Sequence, residues 1–345
     1  MILYKNLSTI ALIIAACLFS AQVNAQDLQA DNMLLFQRSS GGWQKHFRNK
    51  SLNYNTEFST ADKAEIAIEA AKDDATIDNE ATTKEIKYLV IAYKTINNPQ
   101  YLAAAENGIR YLLKAQYKNG GWPQYYPDKS FYRSQVTYND NAMINVLKVL
   151  QSIVLKQNGF EVVNAQLAGP SANAIQKGIA CILQTQIKVN GQLTAWCQQY
   201  DASTLQPAKA RAFEPACISG SESVGIVEFL MSQPNPSPEI RNAINAAAEW
   251  LQLVKITGYK VVDMPAPGTP KGKDRQLVAD NTSTMWARYY EIGTNKPFFC
   301  DRDGIIKYDI QEIGYERRNG YAWYGSWPKK LLEATYPEWL KRNGR

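Results

Sequence analysis

Apolar residues recur at helical spacing along most of the chain. Ile86, Leu89, Val90 and Tyr93 mark one face, and Leu102, Ile109, Leu112 and Leu113 mark the next. Met143, Val146, Leu147, Leu150 and Val154 follow, then Ile175, Ile179, Ile182 and Leu183. The stretch "SGSESVGIVEFLM" opens with Ser219 facing Glu222 in capping-box spacing. Ser237-Pro238 caps a further helix through Ile240, Ile244, Ala247 and Leu251. A short helix is predicted from Ser283 over "STMWARYYEI", and strand signals are few. The longest irregular segment, "DMPAPGTPKGKDRQ" (Asp263 to Gln276), reads as a loop over a cleft.

Glycine and tryptophan punctuate the helices. "GGWQK" (Gly41 to Lys45) and "GGWPQYYP" (Gly120 to Pro127) are near copies, with looser echoes at Asn190 to Asp201 and Asn319 to Leu332. A recurring unit of helix, helix and aromatic loop predicts an all-α fold, an (α/α)3 toroid of three helical hairpins with aromatic loops gathered at one end. Twenty Tyr and eight Trp would suit the stacking of sugar rings, although core packing is the ordinary use of such side chains. Trp122 and Trp196, in Gly-flanked loops, are the two expected in a substrate groove.

The first 25 residues carry one charge, Lys5, then an apolar run from Ile10 to Phe19 and the small-x-small triplet Val23-Asn24-Ala25. That pattern predicts a secretory signal peptide, too short to span a bilayer. Ile14-Ala15-Ala16-Cys17 also resembles a lipobox, so lipid anchoring through Cys17 is the alternative to a free secreted or periplasmic protein. A single catalytic domain over 26–345 is expected, because no Pro/Gly/Ser linker divides it. No segment reads as an oligomer interface, so a monomer is expected. The net charge of +6 is compatible with a polyanionic partner, and equally with a solvated basic surface. Four cysteines follow the signal, Cys181, Cys197, Cys217 and Cys300. Their spacing matches no zinc pattern and allows one disulfide at most.

His46 is the only histidine, and no G-x-S-x-G, Walker loop or dinucleotide fingerprint is present. Serine hydrolase, ATPase and Rossmann dehydrogenase chemistry are therefore disfavoured. Two acidic clusters precede helices: Asp78 with Asn79 in "TIDNEATTKEIKYL", and Asp140 with Asn141 in "TYNDNAMINVL". Such residues either cap the helices or supply hard oxygen ligands to calcium from separate segments. Arg211, three residues before Glu214 in "AKARAFEP", is either a salt-bridge partner or something less ordinary. Arg288 and Arg302 could grip carboxylates in bidentate fashion, though Arg302 sits between Asp301 and Asp303 and could close a local turn instead.

Together, "IDNEATTKEIKYL", "NGGWPQYYP", "YNDNAM", "ARAFEPACISGSESVGIVEFLM" and "WARYYEIGTNKPFFCDRDGIIKYDIQEIGYERRNGYAWYGSWP" resemble the pectate lyases of polysaccharide lyase family 10, over nearly the whole chain beyond Leu34. The resemblance implies calcium-dependent anti β-elimination of polygalacturonate. It implies Arg211 as the base at C5, with Asp78, Asp140 and Asn79 toward calcium (Ca2+) and Arg302 and Arg288 toward substrate carboxylates. The competing functions are a glycoside hydrolase using Asp78 and Asp140 as its carboxylate pair, and a non-catalytic carbohydrate-binding protein.

Overall fold

The computed structural model describes residues 27–344. The signal-peptide reading, including Cys17 and Val23-Asn24-Ala25, lies outside the described residues. No helix among the described residues is long and apolar enough to cross a membrane.

Eight helices form the body: α1 (Leu28–Phe36), α2 (Thr60–Ile68), α3 (Thr83–Ile96), α4 (Pro99–Ala115), α5 (Ala142–Leu155), α6 (Ala168–Thr185), α7 (Glu222–Met231) and α8 (Pro238–Leu253). Local chemistry sets their junctions. Between α3 and α4, Asn97 takes the left-handed conformation that ends one helix. The Asn98 side chain then accepts from the Gln100 amide, and Pro99 opens the next helix. Helices α3 and α4, α5 and α6, and α7 and α8 pack as successive pairs. The apolar stripes read from the sequence become the core: Ile86, Leu89, Ile109, Leu112, Val146, Leu147, Ile182 and Leu251 are all buried.

The expectation of an all-α toroid is overturned. Helix accounts for 48% of the structure and strand for 17%, with the strands in six small sheets. Ile256–Pro265 pairs antiparallel with Lys273–Ala287, in register Tyr259↔Ala279 and Asp263↔Arg275, and Tyr324–Gly325 adds to the far edge. Only 266–272 of the supposed loop is a turn; its flanks are strands, and no residue of the hairpin lines the cavity described below. The helix expected from Ser283 is also strand. Ser283 to Ala287 end the hairpin, and Tyr289–Tyr290 pairs with Ile218–Ser219. Thr282, Thr284, Trp286, Tyr289 and Tyr290 are β-branched or aromatic, and their packing on neighbouring strands outweighs a weak helical spacing. Ser221 holds the cap position of α7 without a side-chain bond, while Ser219, in the strand, faces Glu222 as expected and accepts from the Ser221 and Glu222 amides.

The Gly/Trp copies are a structural device. The indole N–H groups of Trp43, Trp122, Trp196 and Trp286 donate to the carbonyls of Met33, Leu112, Ile182 and Leu251, in α1, α4, α6 and α8. Each ring is buried, so Trp122 and Trp196 belong to the core and the groove expectation is corrected. Gln37, Gln116 and Gln186, each just past a helix, span from their own loop to Ala104, Ala174 and Ala243 in the next helical pair. The fourth copy is centred on Trp286 rather than near Asn319. Tyr200 and Tyr290 each accept from the amide one residue after the tryptophan, and each bridges a proline, Pro207 and Pro297.

The four cysteines are buried free thiols.

Candidate functional site

Side chains from six separated segments meet in a cavity of about 240 Å³. Its lining includes Lys45, His46, Asp78, Asn79, Gln124, Tyr125, Asn139, Asp140, Gln199, Arg211 and Glu214. A larger groove of about 840 Å³ lies between the Lys188–Leu193 hairpin and α8, and has no comparable convergence of charge.

The acidic wall comes from two matching turns, Asp78–Glu80 ahead of α3 and Asn139–Asn141 ahead of α5. In each, the central residue is forced to positive φ, Asn79 at 47° and Asp140 at 50°. Asn79 is therefore the counterpart of Asp140, and Asp78 of Asn139, one residue out of step with the pairing read from the sequence. Neither α3 nor α5 has a side-chain cap. The acidic and amide groups are thus not spent on capping the helices, and positive φ in non-glycine residues is a cost that clusters at functional sites.

Two cations clamp this wall. Lys45 Nζ lies 2.5 Å from Asp78 Oδ2. Arg288 Nη2 lies 3.5 Å from Asp140 Oδ1 and ion-pairs with Glu222, which also receives the Ser219 hydroxyl. Burial pushes the Asp140 carboxyl above its usual range and the Glu222 charge adds to this, against the pull of Arg288. Burial draws the Arg288 guanidinium down, yet Glu222, the nearby tyrosines and Asp140 hold it above its ordinary value.

The basic wall is a turn in which the Arg211 carbonyl accepts from the Glu214 amide at 2.9 Å. Arg211 Nε and Nη2 reach Glu214 Oε2 and Oε1 at 2.8 and 2.5 Å. This bidentate pair raises the guanidinium pKa despite burial. Burial alone would raise the Glu214 carboxyl, but Arg211 and the Tyr321 hydroxyl, 2.9 Å away, hold it low. Arg302 does not line the cavity. It pairs with Glu316 and, with Arg211 and Arg317, borders the Phe213 ring.

The oxygens suit a hard cation. Gln124 Oε1, Asn139 Oδ1 and Gln199 Oε1 are buried without a hydrogen-bond partner, beside the Asp78 and Asp140 carboxylates. Buried acceptors of this kind call for a ligand, and amide plus carboxylate oxygen is the donor set calcium takes. Among the described residues no group of three or more His, Cys, Asp or Glu is placed to hold a metal, so two carboxylates with amide oxygens is the set on offer.

Sequence reasoning missed Lys45, Gln124, Gln199, Glu222 and Tyr321. The signal for part of this was the tryptophan repeat: two residues after each tryptophan stand Lys45, Gln124, Gln198 and Arg288, and three of these four reach the cavity or its acids.

A family model described as pectic acid lyase matches residues 37–332. The Family 10 polysaccharide lyase from Cellvibrio cellulosa is 34% identical, with a TM-score of 0.76 over 92% of this chain and 91% of that one. An aspartate-to-alanine mutant of that lyase, in complex with trigalaturonic acid, is 34% identical with a TM-score of 0.78, covering 92% of both chains. No curated protein matches the sequence. With the family model spanning the cavity-lining segments from Lys45 to Glu214, the chain belongs to the pectic acid lyase family and is a polysaccharide lyase.

Proposed function

We propose that this lyase is exported and cleaves polygalacturonate by anti β-elimination with calcium, releasing 4,5-unsaturated oligogalacturonides. The observation that carries the reading is the meeting of Asp78, Asn79, Asp140 and Arg211 in one cavity. The ligand of the Cellvibrio relative, trigalaturonic acid, supports the substrate class. The basic residues around Phe213 would receive the carboxylates of neighbouring sugar units.

In this reading Asp78 and Asp140, helped by the amide oxygens of Asn79, Gln124, Asn139 and Gln199, hold calcium. When bound, calcium supplies positive charge against a uronate carboxylate, where negative charge accumulates as C5 loses its proton. Arg211, in its neutral form, takes the C5 proton. The C–H electron pair becomes the C4=C5 double bond, the C4–O bond breaks, and the leaving oxygen collects a proton from water. Nη1 is the nitrogen for this, since Nε and Nη2 are engaged by Glu214. Arginine is a strong base that is rarely neutral near pH 7, so activity rises toward alkaline pH. Arg288, paired with Asp140 and Glu222, keeps the acidic wall ordered.

The test is ultraviolet absorbance of unsaturated product from polygalacturonate at alkaline pH, with calcium and then with chelator. Absorbance abolished by chelator is the expected result. New reducing ends without absorbance would mean hydrolysis and sink the reading. For export, the expected result is a mature chain outside the cytoplasm beginning near Gln26. A chain lipidated at Cys17 would replace the free protein with an anchored one.

A further inference from the structure

Arg211 is fixed at three points by a single carboxylate. Besides the two guanidinium contacts, the Arg211 backbone N–H donates to Glu214 Oε2 at 3.2 Å. Glu214 is itself almost fully buried, with its side chain 2% exposed. Behind it runs a hydrogen-bonded line: Tyr321 Oη donates to Glu214 Oε1 at 2.9 Å, Tyr289 Oη lies 2.5 Å from Tyr321 Oη, and Gln198 Oε1 lies 2.8 Å from Tyr289 Oη. Tyr289 has one proton for two acceptors. Gln198 Nε2 is buried with no partner. Turning that amide lets Nε2 donate to Tyr289, whose proton is then free for Tyr321, and both tyrosines have a donor and an acceptor along the line.

We propose that Glu214 is a positioning residue for the reaction: it orients Arg211 with Nη1 toward the substrate, and, with the Tyr321 hydroxyl behind it, sets the pH range over which the arginine accepts the C5 proton. The inference rests on the reading of Arg211 as base. A carboxylate against a guanidinium favours the charged form, so Glu214 holds the arginine in place while making it harder to deprotonate. The Tyr321 hydrogen bond draws charge off the carboxylate and moderates this. Ionised, Tyr321 and Tyr132 would both add to the pull of Glu214 on Arg211, but burial pushes the Tyr321 hydroxyl up and keeps it a neutral donor. Arg317 opposes it, and Asp140 faces Arg211 from the acidic wall. Lys45, His46, Asp78, Tyr125 and Arg133 complete the titratable lining, and Arg302 stands across Phe213.

The two partners therefore act in opposite directions. Glu214→Gln keeps an oxygen for Arg211 but removes the charge. The rising limb of kcat against pH is expected to move about one to three units toward acid, and the limiting rate to fall by about 10² through looser orientation. Tyr321→Phe leaves the carboxylate charge undiluted and is expected to move the limb toward alkali by a smaller amount. The measurement is kcat and KM on polygalacturonate across neutral to alkaline pH for the full chain and both variants, with circular dichroism to establish folding. A Glu214→Gln limb that coincides with the parent's, or moves toward alkali, overturns the proposal. If Glu214→Gln does not fold, Tyr321→Phe decides alone, and an unmoved or acid-shifted limb overturns it. Arg211→Ala separates the two levels: parental turnover there removes the base assignment itself. An inactive Arg211→Ala beside an unshifted Glu214→Gln removes only the role of Glu214.

Discussion

The two walls of the cavity solve opposite problems. On the acidic wall, Asp78, Asn79, Asn139 and Asp140 come from backbone turns at positive φ, and several oxygens there lack partners. On the basic wall, Arg211 is matched atom for atom by Glu214, and Glu214 in turn by Tyr321. One wall keeps unused capacity for a ligand; the other is complete before any ligand arrives. Cation binding should accordingly be sensitive to single charges on the acidic wall, whereas the basic wall should govern rate more than affinity.

The largest expected effect tests the basic wall. Arg211→Ala should lower turnover by about 10² to 10⁴, the range of a positioned base, while oligogalacturonate binding measured by calorimetry stays within a few fold. Near-parental turnover would show that the completeness of this wall has another purpose.

The next effect lies under the acidic wall and concerns stability. Glu85, in the first turn of α3, is buried with Oε2 unpartnered and Oε1 accepting from Tyr54, and burial pushes its carboxyl up to about 7. The folded state therefore favours the protonated form. Its stabilising contribution is full below the ordinary glutamate value near ~4.3 and is lost as pH rises to about 7, a difference of roughly 3 kcal/mol. Glu85→Gln should be more stable than the parent at pH 9 and similar to it at pH 4.5, by denaturant unfolding at both pH values. Parallel curves for the two proteins would count against it.

A third comparison sets one acid against its clamp. Asp140→Asn should raise the calcium concentration for half-maximal activity by about tenfold or more, and Lys45→Met should lower it by less, because the lysine occupies Asp78; tenfold corresponds to ~1.4 kcal/mol. Equal and same-sign shifts would mean that the acidic wall does not work through net charge.

Trp196→Phe is the smallest. It loses the indole bond to Ile182 and some packing, so stability should fall by about 1–2 kcal/mol with KM unchanged. A raised KM with unchanged stability would return Trp196 to the groove.

The helical stripes were legible because burial acts at a 3.6-residue period over whole helices, as at Ile86, Leu89 and Val90. Asp78 and Asp140 stood out because each precedes a helix start, and Arg211 only through the segment that resembles the family; all three line the cavity. The hairpin was hidden by Pro265, Pro267 and Gly268, which mark only its tip, while the ladder depends on partners 8 to 29 residues away. Trp122 and Trp196 misled because flanking glycines suggest an exposed loop. In the fold, Gly121 and Gly178 bring backbone and side chains so close that the Trp122 ring is enclosed. Glu222 and Tyr321 could not be found locally, since their partners, Arg288 and Glu214, lie 66 and 107 residues away.

The glutamine and tryptophan ties of the repeated loops have a mechanical consequence. Gln37, Gln116 and Gln186 join each loop to the following helical pair, while the tryptophan of the same loop locks it to the preceding one. Side chains two residues beyond Trp43, Trp122 and Trp196 are thereby mounted on brackets anchored at both ends. Lys45 and Gln124 can be exchanged one at a time without loosening the frame, so the charge pattern presented to a polymer is adjustable position by position, like pins in a lock whose barrel stays the same.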